Sequence, residues 1–150
     1  ADGVGFAEEI AFEISGIELT VGGQINDKNS ISASLSSVDA ENASGGDQKE
    51  IPELTWSLWY THQANDMFGF SVGAVYQDEQ FISSTAAGAP KLPDYTRVDM
   101  AMAITPNDSD TIRINIENLL DEDYYPYSHS THQVTVGEPA NVRVSYNKRF

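Results

Sequence analysis

The sequence contains no cysteine, and its 150 residues carry only 8 Lys and Arg against 23 Asp and Glu, a formal net charge of −15 with a pI near 4.2. Without cysteine there is no disulfide framework, no thiolate metal site and no thiol nucleophile. The redox compartment stays open, since this absence fits several places. So few cations would leave a nucleic-acid phosphate backbone repelled, and no nucleic acid is expected as a partner. Long hydrophobic runs are missing as well. Although 40% of the residues are apolar, none of the runs approaches the ~18 residues of a membrane helix, which excludes a helical span. The opening Ala1-Asp2-Gly3-Val4-Gly5 has no initiator Met, no basic start and no apolar signal core. We read it as a chain cut from something longer, with any export signal absent or removed. The length points to one domain, residues 1–150.

Helical periodicity is scarce, whereas period-two alternation, the mark of a strand with one apolar face, recurs from end to end. Val4, Phe6, Ile10, Phe12 and Ile14 share one parity. Ser15-Gly16 reads as a tight turn, after which Ile17, Leu19, Val21 and Ile25 alternate with Glu18, Thr20, Gly22 and Gln24. From Asn26 to Glu53 the pattern weakens to a short Ile31, Ala33, Leu35 alternation, so a long loop with at most a short strand is expected there. Further strands are expected around Leu54–Thr61, Phe68–Gln77, Arg97–Ile104, Ile112–Glu117 and Val142–Phe150. The turns at Ala64-Asn65-Asp66 and Pro106–Asp110 are short, while Ser83–Pro93 and Asp121–Val134 are longer connections. The expected fold is all-β, an antiparallel up-and-down meander of about seven or eight strands. Strands of roughly 9 to 12 residues exceed the usual ~5 to 6 of soluble sheets and match the ~9 to 11 of a membrane strand.

Alternation alone is shared by a soluble sandwich, a small ligand-binding barrel and a lipid-facing wall. The polar parity carries Glu9, Glu13, Glu18, Arg97, Asp99, Arg113, Glu117 and Arg143 among small residues, either as a solvated outside or as the lining of a lumen. Trp56, Tyr60, Phe68, Tyr76, Tyr146 and Phe150 lie near strand ends on the apolar parity, as interfacial girdles do. Aromatics suit strands anywhere, however.

The C-terminal half resembles the end of a TonB-dependent outer-membrane receptor. The resemblance rests on three ordered motifs. Leu92-Pro93-Asp94-Tyr95-Thr96-Arg97-Val98-Asp99 is similar to the opening of the family's third-last strand. Glu117-Asn118-Leu119-Leu120-Asp121-Glu122-Asp123-Tyr124-Tyr125 is similar to the end of the next, and Gly137-Glu138-Pro139-Ala140-Asn141-Val142-Arg143 to the turn opening a last strand that stops at Phe150. Ala140-Asn141 stands where the family commonly has Arg. Gly3-Val4-Gly5-Phe6 and Ile51-Pro52-Glu53-Leu54-Thr55 are looser matches. The resemblance implies a partial transmembrane β-barrel without the plug domain, drawn from a receptor importing an iron chelate or similar nutrient across the bacterial outer membrane. It implies outer-membrane lipid, the TonB system and the barrel-assembly machinery as partners, the last two through the full-length parent. It also implies a small-molecule ligand such as a metal chelate at the loops Asn26–Glu50, Phe81–Lys91 and Asp121–Gln133, lumen-facing Arg97, Asp99, Arg113, Glu117 and Arg143, and Phe150 as the barrel-assembly signal.

No catalytic set stands out: no serine sits in a nucleophile-elbow context, and Gly3 and Gly5 lead into a strand rather than a helix. Neither an enzyme nor a cofactor is expected. His129 and His132 beside Asp121 and Asp123 are weak metal candidates, lacking a third ligand at a recognisable spacing. The acidic triplet Asp121-Glu122-Asp123 lacks the pattern of a calcium loop. His62 reads as a surface residue. Asn118-Leu119-Leu120-Asp121 reads as a turn closed by side-chain hydrogen bonds rather than as chemistry. The competing reading is a self-contained soluble barrel or sandwich with Val4, Phe12, Trp56, Phe70, Met100, Ile114 and Val144 turned into a core, around an apolar ligand or none.

Overall fold

A computed structural model describes residues 12–42, 45–82 and 88–150, so the motif at Gly3–Phe6 and the alternation from Val4 to Ile10 lie outside the described residues. Every regular element in the described residues is a strand. Seven long strands form one antiparallel sheet: β1 (Phe12–Asn26), β2 (Asn29–Asn42), β3 (Leu54–Asn65), β4 (Phe68–Gln77), β7 (Tyr95–Asn107), β8 (Asp110–Glu117) and β11 (Asn141–Lys148). Their order in the sheet is their order in the chain. Two small hairpins interrupt the meander, β5 (Gln80–Phe81) with β6 (Lys91–Leu92) and β9 (Tyr127–Ser130) with β10 (Gln133–Thr135). The links β1–β2, β3–β4 and β7–β8 are tight turns at one end, and the three long connections all lie at the other.

The start of the chain differs from the sequence reading. Ser15-Gly16 is not a turn: β1 runs through it for 15 residues, paired without a register shift from Phe12↔Asn42 to Gln24↔Ser30. The turn comes at Asn26–Asn29, where the Asn26 side chain accepts from the Lys28 backbone N–H at 3.0 Å. The segment expected as a long loop is largely the 14-residue β2. Its signal is faint because serine fills most of the polar parity and serine is a weak strand former. The change of parity between Ile14 and Ile17 that suggested a turn is instead a change of face. Phe12 and Ile14 share a side with the polar residues, opposite Ile17, Leu19 and Val21. Phe12 therefore does not join Trp56, Phe70, Met100, Ile114 and Val144 in one apolar cluster.

Register carries each face across the whole sheet. On one side, Val21, Ala33, Leu58, Ala74 and Val98 form a row, and His62, Phe70, Met102, Ile114 and Val144 another. On the opposite side the corresponding rows are Thr20, Ser34, Ser57, Val75 and Arg97, then Ser30, Thr61, Ser71, Ala101, Asn115 and Arg143. Trp56 stacks on Tyr76 at 5.7 Å near the loop end, while Phe68 and Tyr146 mark the turn end of the apolar face.

Among the described residues no second layer covers this face. Ile17 is 71% exposed and Val144 63%, and among the described residues the buried apolar side chains reduce to Ala40, Ile82, Leu92 and Tyr124. A water-soluble sheet must bury its apolar side against another layer. Both edges are open too, since among the described residues β1 and β11 each pair on one side only. Among the described residues the strands therefore form an open sheet and not the closed barrel of the competing reading. The architecture is an open section of sheet with two unpaired edges among the described residues, an arrangement that lipid tolerates only when further strands complete it.

Candidate functional site

The most densely bonded part of the polar face lies at the loop end of β7 and β8. Arg97 and Asp99, two apart on β7, project to the same side. The Arg97 guanidinium donates to Asp99 Oδ2 through Nε at 3.2 Å and Nη2 at 2.8 Å, and through Nη1 to the Tyr124 hydroxyl at 3.1 Å. The other Asp99 oxygen accepts the Asn118 backbone N–H at 2.8 Å. Asp99 is buried, and both its oxygens are satisfied, the condition under which a carboxylate can be kept from water.

Asn118 is 1% exposed and its backbone lies in the left-handed region at φ 53°. Asparagine is one of the few side chains that tolerate this region, and here it also bridges the loop. Its Nδ2 donates to the carbonyls of Glu122 and Glu138 at 2.9 and 3.0 Å, and its Oδ1 accepts the Glu122 N–H at 2.9 Å. Asp121, also left-handed at φ 53°, accepts the Ala140 N–H at 2.8 Å. The Asn118-Leu119-Leu120-Asp121 stretch thus closes both ends of the long connection between β8 and β11.

The loop so tied brings Tyr124 onto the polar face, its ring centroid 4.7 Å from that of Tyr95 and tilted 36° to it. Gly137 passes directly over the Tyr124 ring, where a Cβ would collide with it, and its N–H donates to the Tyr124 carbonyl at 2.7 Å. Gln77 and Gln80 both donate to the Pro126 carbonyl, joining the connection after β4 to the same loop. Nearby, Lys91 bonds Glu79 at 2.7 Å and sits over the Phe81 ring, and the Glu79 carboxylate holds its ammonium above the ordinary lysine range.

The structure brings Arg97 and Asp99 together, and the β7–β8 register sets Glu117 across from Asp99 on the same face, while Arg113 and Arg143 lie nearer the tight turns. Arg113 faces Ser145 across the β8–β11 pair, Arg143 faces Asn115, and Glu117 accepts from Asn141 at 3.5 Å. His129 lies on β9, and the His132 ring comes within hydrogen-bond reach of the Ser130 hydroxyl. Asp121 is engaged in its turn. Among the described residues no group of three or more His, Asp or Glu is placed to hold a metal ion. His62 meets the Asn29 side chain at 2.7 Å and packs against Phe70. Phe150 projects beyond β11, fully exposed. Sequence reasoning missed Tyr95, Tyr124, Gln77 and Gln80 as site residues. Tyr124 could have been found, because it ends the Asn-Leu-Leu-Asp-x-x-Tyr motif; the two glutamines carry no comparable signal.

Comparison with known proteins places this geometry. The family model described as TonB dependent receptor-like, beta-barrel matches residues 11–119. The chain is 26% identical over 155 residues to a probable TonB-dependent siderophore receptor, PiuA of Acinetobacter baumannii, covering 92% of this chain and 21% of the relative. The crystal structure of PiuA superposes with a TM-score of 0.79 at 25% identity, over 93% of this chain and 22% of that one. The metal-pseudopaline receptor CntO of Pseudomonas aeruginosa is 28% identical over 145 residues, 90% of this chain and 20% of the relative. The ferric-catecholate import receptor Fiu of E. coli shares the fold, with a TM-score of 0.82 at 22% identity over all of this chain and 23% of that one. The chain therefore spans about a fifth of the length of the curated relatives it matches. With seven in-register strands, one lipid-ready face and a family match over most of its length, the chain belongs to the TonB-dependent receptor-like β-barrel family of the bacterial outer membrane.

Proposed function

We propose that the chain is the C-terminal barrel portion of a TonB-dependent receptor that takes up an iron chelate or similar nutrient, and that it performs no catalysis. The observation that carries this reading is the separation of an exposed apolar face from a polar one across the seven-stranded sheet, with both edges open among the described residues. In it the apolar face meets lipid, while Arg97, Asp99, Arg113, Glu117 and Arg143 look into the lumen. The connections 43–50, Phe81–Lys91 and Asp121–Gln133 face the outside, where a chelate arrives. Residues 29–42 leave that group because they form β2. The TonB system and the assembly machinery act on the full-length receptor, and Phe150 is the assembly signal.

The test is deletion of the gene encoding the parent receptor, followed by growth under iron limitation on a panel of ferric chelates. Loss of growth on at least one chelate, restored by the plasmid-borne gene only in a TonB-positive strain, is expected. Unchanged growth across the panel overturns the uptake reading. Separately, the isolated 150 residues should require detergent, and a monodisperse, cooperatively melting species in plain buffer would overturn the lipid-facing wall.

A further inference from the structure

Connections between strands are ordinarily tied to the strands they join, and each moves by itself. At the loop end of this sheet the three long connections are also tied to one another. The first, between β2 and β3, is fastened to β2 by the Gln48 N–H on the Ala40 carbonyl at 2.7 Å and by the Asn42 N–H on the Gly46 carbonyl at 2.8 Å. From it the Glu50 N–H reaches across to the Phe81 carbonyl of β5 at 2.9 Å. In the second connection, between β4 and β7, the Gln80 side chain continues the run. Its Nε2 donates to the Pro126 carbonyl of the third connection at 3.1 Å, and Gln77 at the end of β4 donates to the same oxygen at 2.9 Å. One series of hydrogen bonds thus crosses all three.

The residues that make these links are themselves held. Gln80 is 5% exposed, so without the Pro126 carbonyl its amide would be stranded away from water. Gln77 accepts the Tyr95 hydroxyl at 3.5 Å, and the Tyr95 ring lies against Tyr124, two residues before Pro126. Pro126 has its φ fixed by its own ring and follows the buried Tyr124, so the carbonyl that takes both glutamines sits on a stiff stretch. Glu50, which joins the first connection to the second, has φ 63°. Among the described residues the other non-glycine positions in this left-handed region are Asn118 and Asp121, the two that close the third connection. A glutamate keeps such a backbone only where its surroundings compel it.

We infer that the three long connections form one mechanical unit, a continuous rim in which Gln77 and Gln80 are the positioning residues that join the second connection to the third. A ligand that displaces any one connection then displaces all three, and meets a fixed arrangement instead of three independent loops. That consequence for uptake rests on the function proposed above, whereas the coupling itself does not.

The test uses the full-length receptor, cleared of any other cysteine and reconstituted in lipid vesicles, with spin labels on Lys49→Cys in the first connection and Thr131→Cys in the third. Double electron–electron resonance should give a single narrow distance distribution, at least doubled in width in the Gln77→Leu/Gln80→Leu variant. Gln77→Glu/Gln80→Glu, equal in size to the native pair but with no N–H to donate, should broaden it as much. A second pair of labels, on Asp66→Cys and Asp108→Cys at two of the tight turns, should give the same distribution in every variant. A broad distribution in the unsubstituted rim, an unchanged width in either variant, or equal broadening at the tight turns would each overturn the coupling, the last by making the glutamines props of the sheet. For whichever ferric chelate of the panel supports growth, the half-saturating concentration for uptake should rise at least fivefold in both variants, and an unchanged value overturns the consequence for uptake. Absence of uptake by the unsubstituted receptor falls on the proposed function, and the label distances still decide the coupling.

Discussion

Two arginine-bearing regions of the same sheet face invite comparison. At the loop end, Arg97, Asp99, Asn118 and Tyr124 satisfy one another, and the chain closes its own polar groups within a few residues of sequence motif. Nearer the turn end, Arg113 borders a shallow trough, and neither it nor its diagonal neighbour Arg143 makes an ion pair or side-chain hydrogen bond among the described residues. The first region is closed by contacts within this portion of chain, whereas the arginines of the second are left exposed. The difference teaches that a polar wall residue has to be judged by what its own neighbours leave undone.

Substitutions at four positions would break or sharpen that contrast. The largest effect is expected from Asn118→Ala in the full-length receptor, which leaves two carbonyls and one N–H without their partner in a buried turn. A loss of about 3 kcal/mol or more, seen as a lower urea midpoint for unfolding, follows from the cost of such orphaned groups. Asn118→Gly keeps the left-handed backbone easy and should lose nearly as much. A wild-type midpoint in both would mean that the turn is held by something other than this side chain.

Next in size, Met100→Arg places an unpartnered arginine on the opposite face. It should cost about 2–4 kcal/mol in a folding assay from lipid vesicles, the penalty of a cation at the bilayer midplane. Indifference to this change would show that the face is not against lipid, and with it the contrast of faces would fail. Gly137→Ala should lower stability by about 1–3 kcal/mol, because the new methyl drives the Tyr124 ring from the site where it meets Arg97. Its expected signature is altered near-ultraviolet dichroism of tyrosine, and an unchanged spectrum would argue that the ring is free to move. Smallest of all, His132→Ala removes only a contact to the Ser130 hydroxyl at an exposed hairpin tip. A shift within about 0.5 kcal/mol is expected, with zinc uptake by equilibrium dialysis equal to wild type.

Legibility from sequence followed the chemistry of each element. Ile112, Ile114 and Ile116 interleaved with Arg113, Asn115 and Glu117 leave little choice of face, and the strand is where the alternation puts it. β2 was hidden because Ser30, Ser32, Ser34 and Ser36 give their parity no strand preference. β1 was split because Ile14 and Ile17 fall on opposite faces of one continuous strand, which pattern reading takes for a turn. In the site, the closing role of Asn118 and Asp121 was readable, since both residue types bond locally and accept left-handed backbone. The hold of Gln77 and Gln80 on Pro126 spans nearly fifty residues and depends on how the connections fold over the sheet, so nothing local announces it.

The coincidence of strand order with chain order has a consequence for how such walls change in size. Every long strand between the two edges pairs with its predecessor and successor, so each hairpin is a unit whose bonds are made with adjacent units alone. Duplicating or excising one whole hairpin would leave every remaining register, and the sidedness of every remaining residue, intact. A single strand could not be gained or lost this way without reversing the direction of all that follow. Circumference in walls of this construction therefore grows by increments of two, in keeping with the even strand numbers of bacterial single-chain barrels.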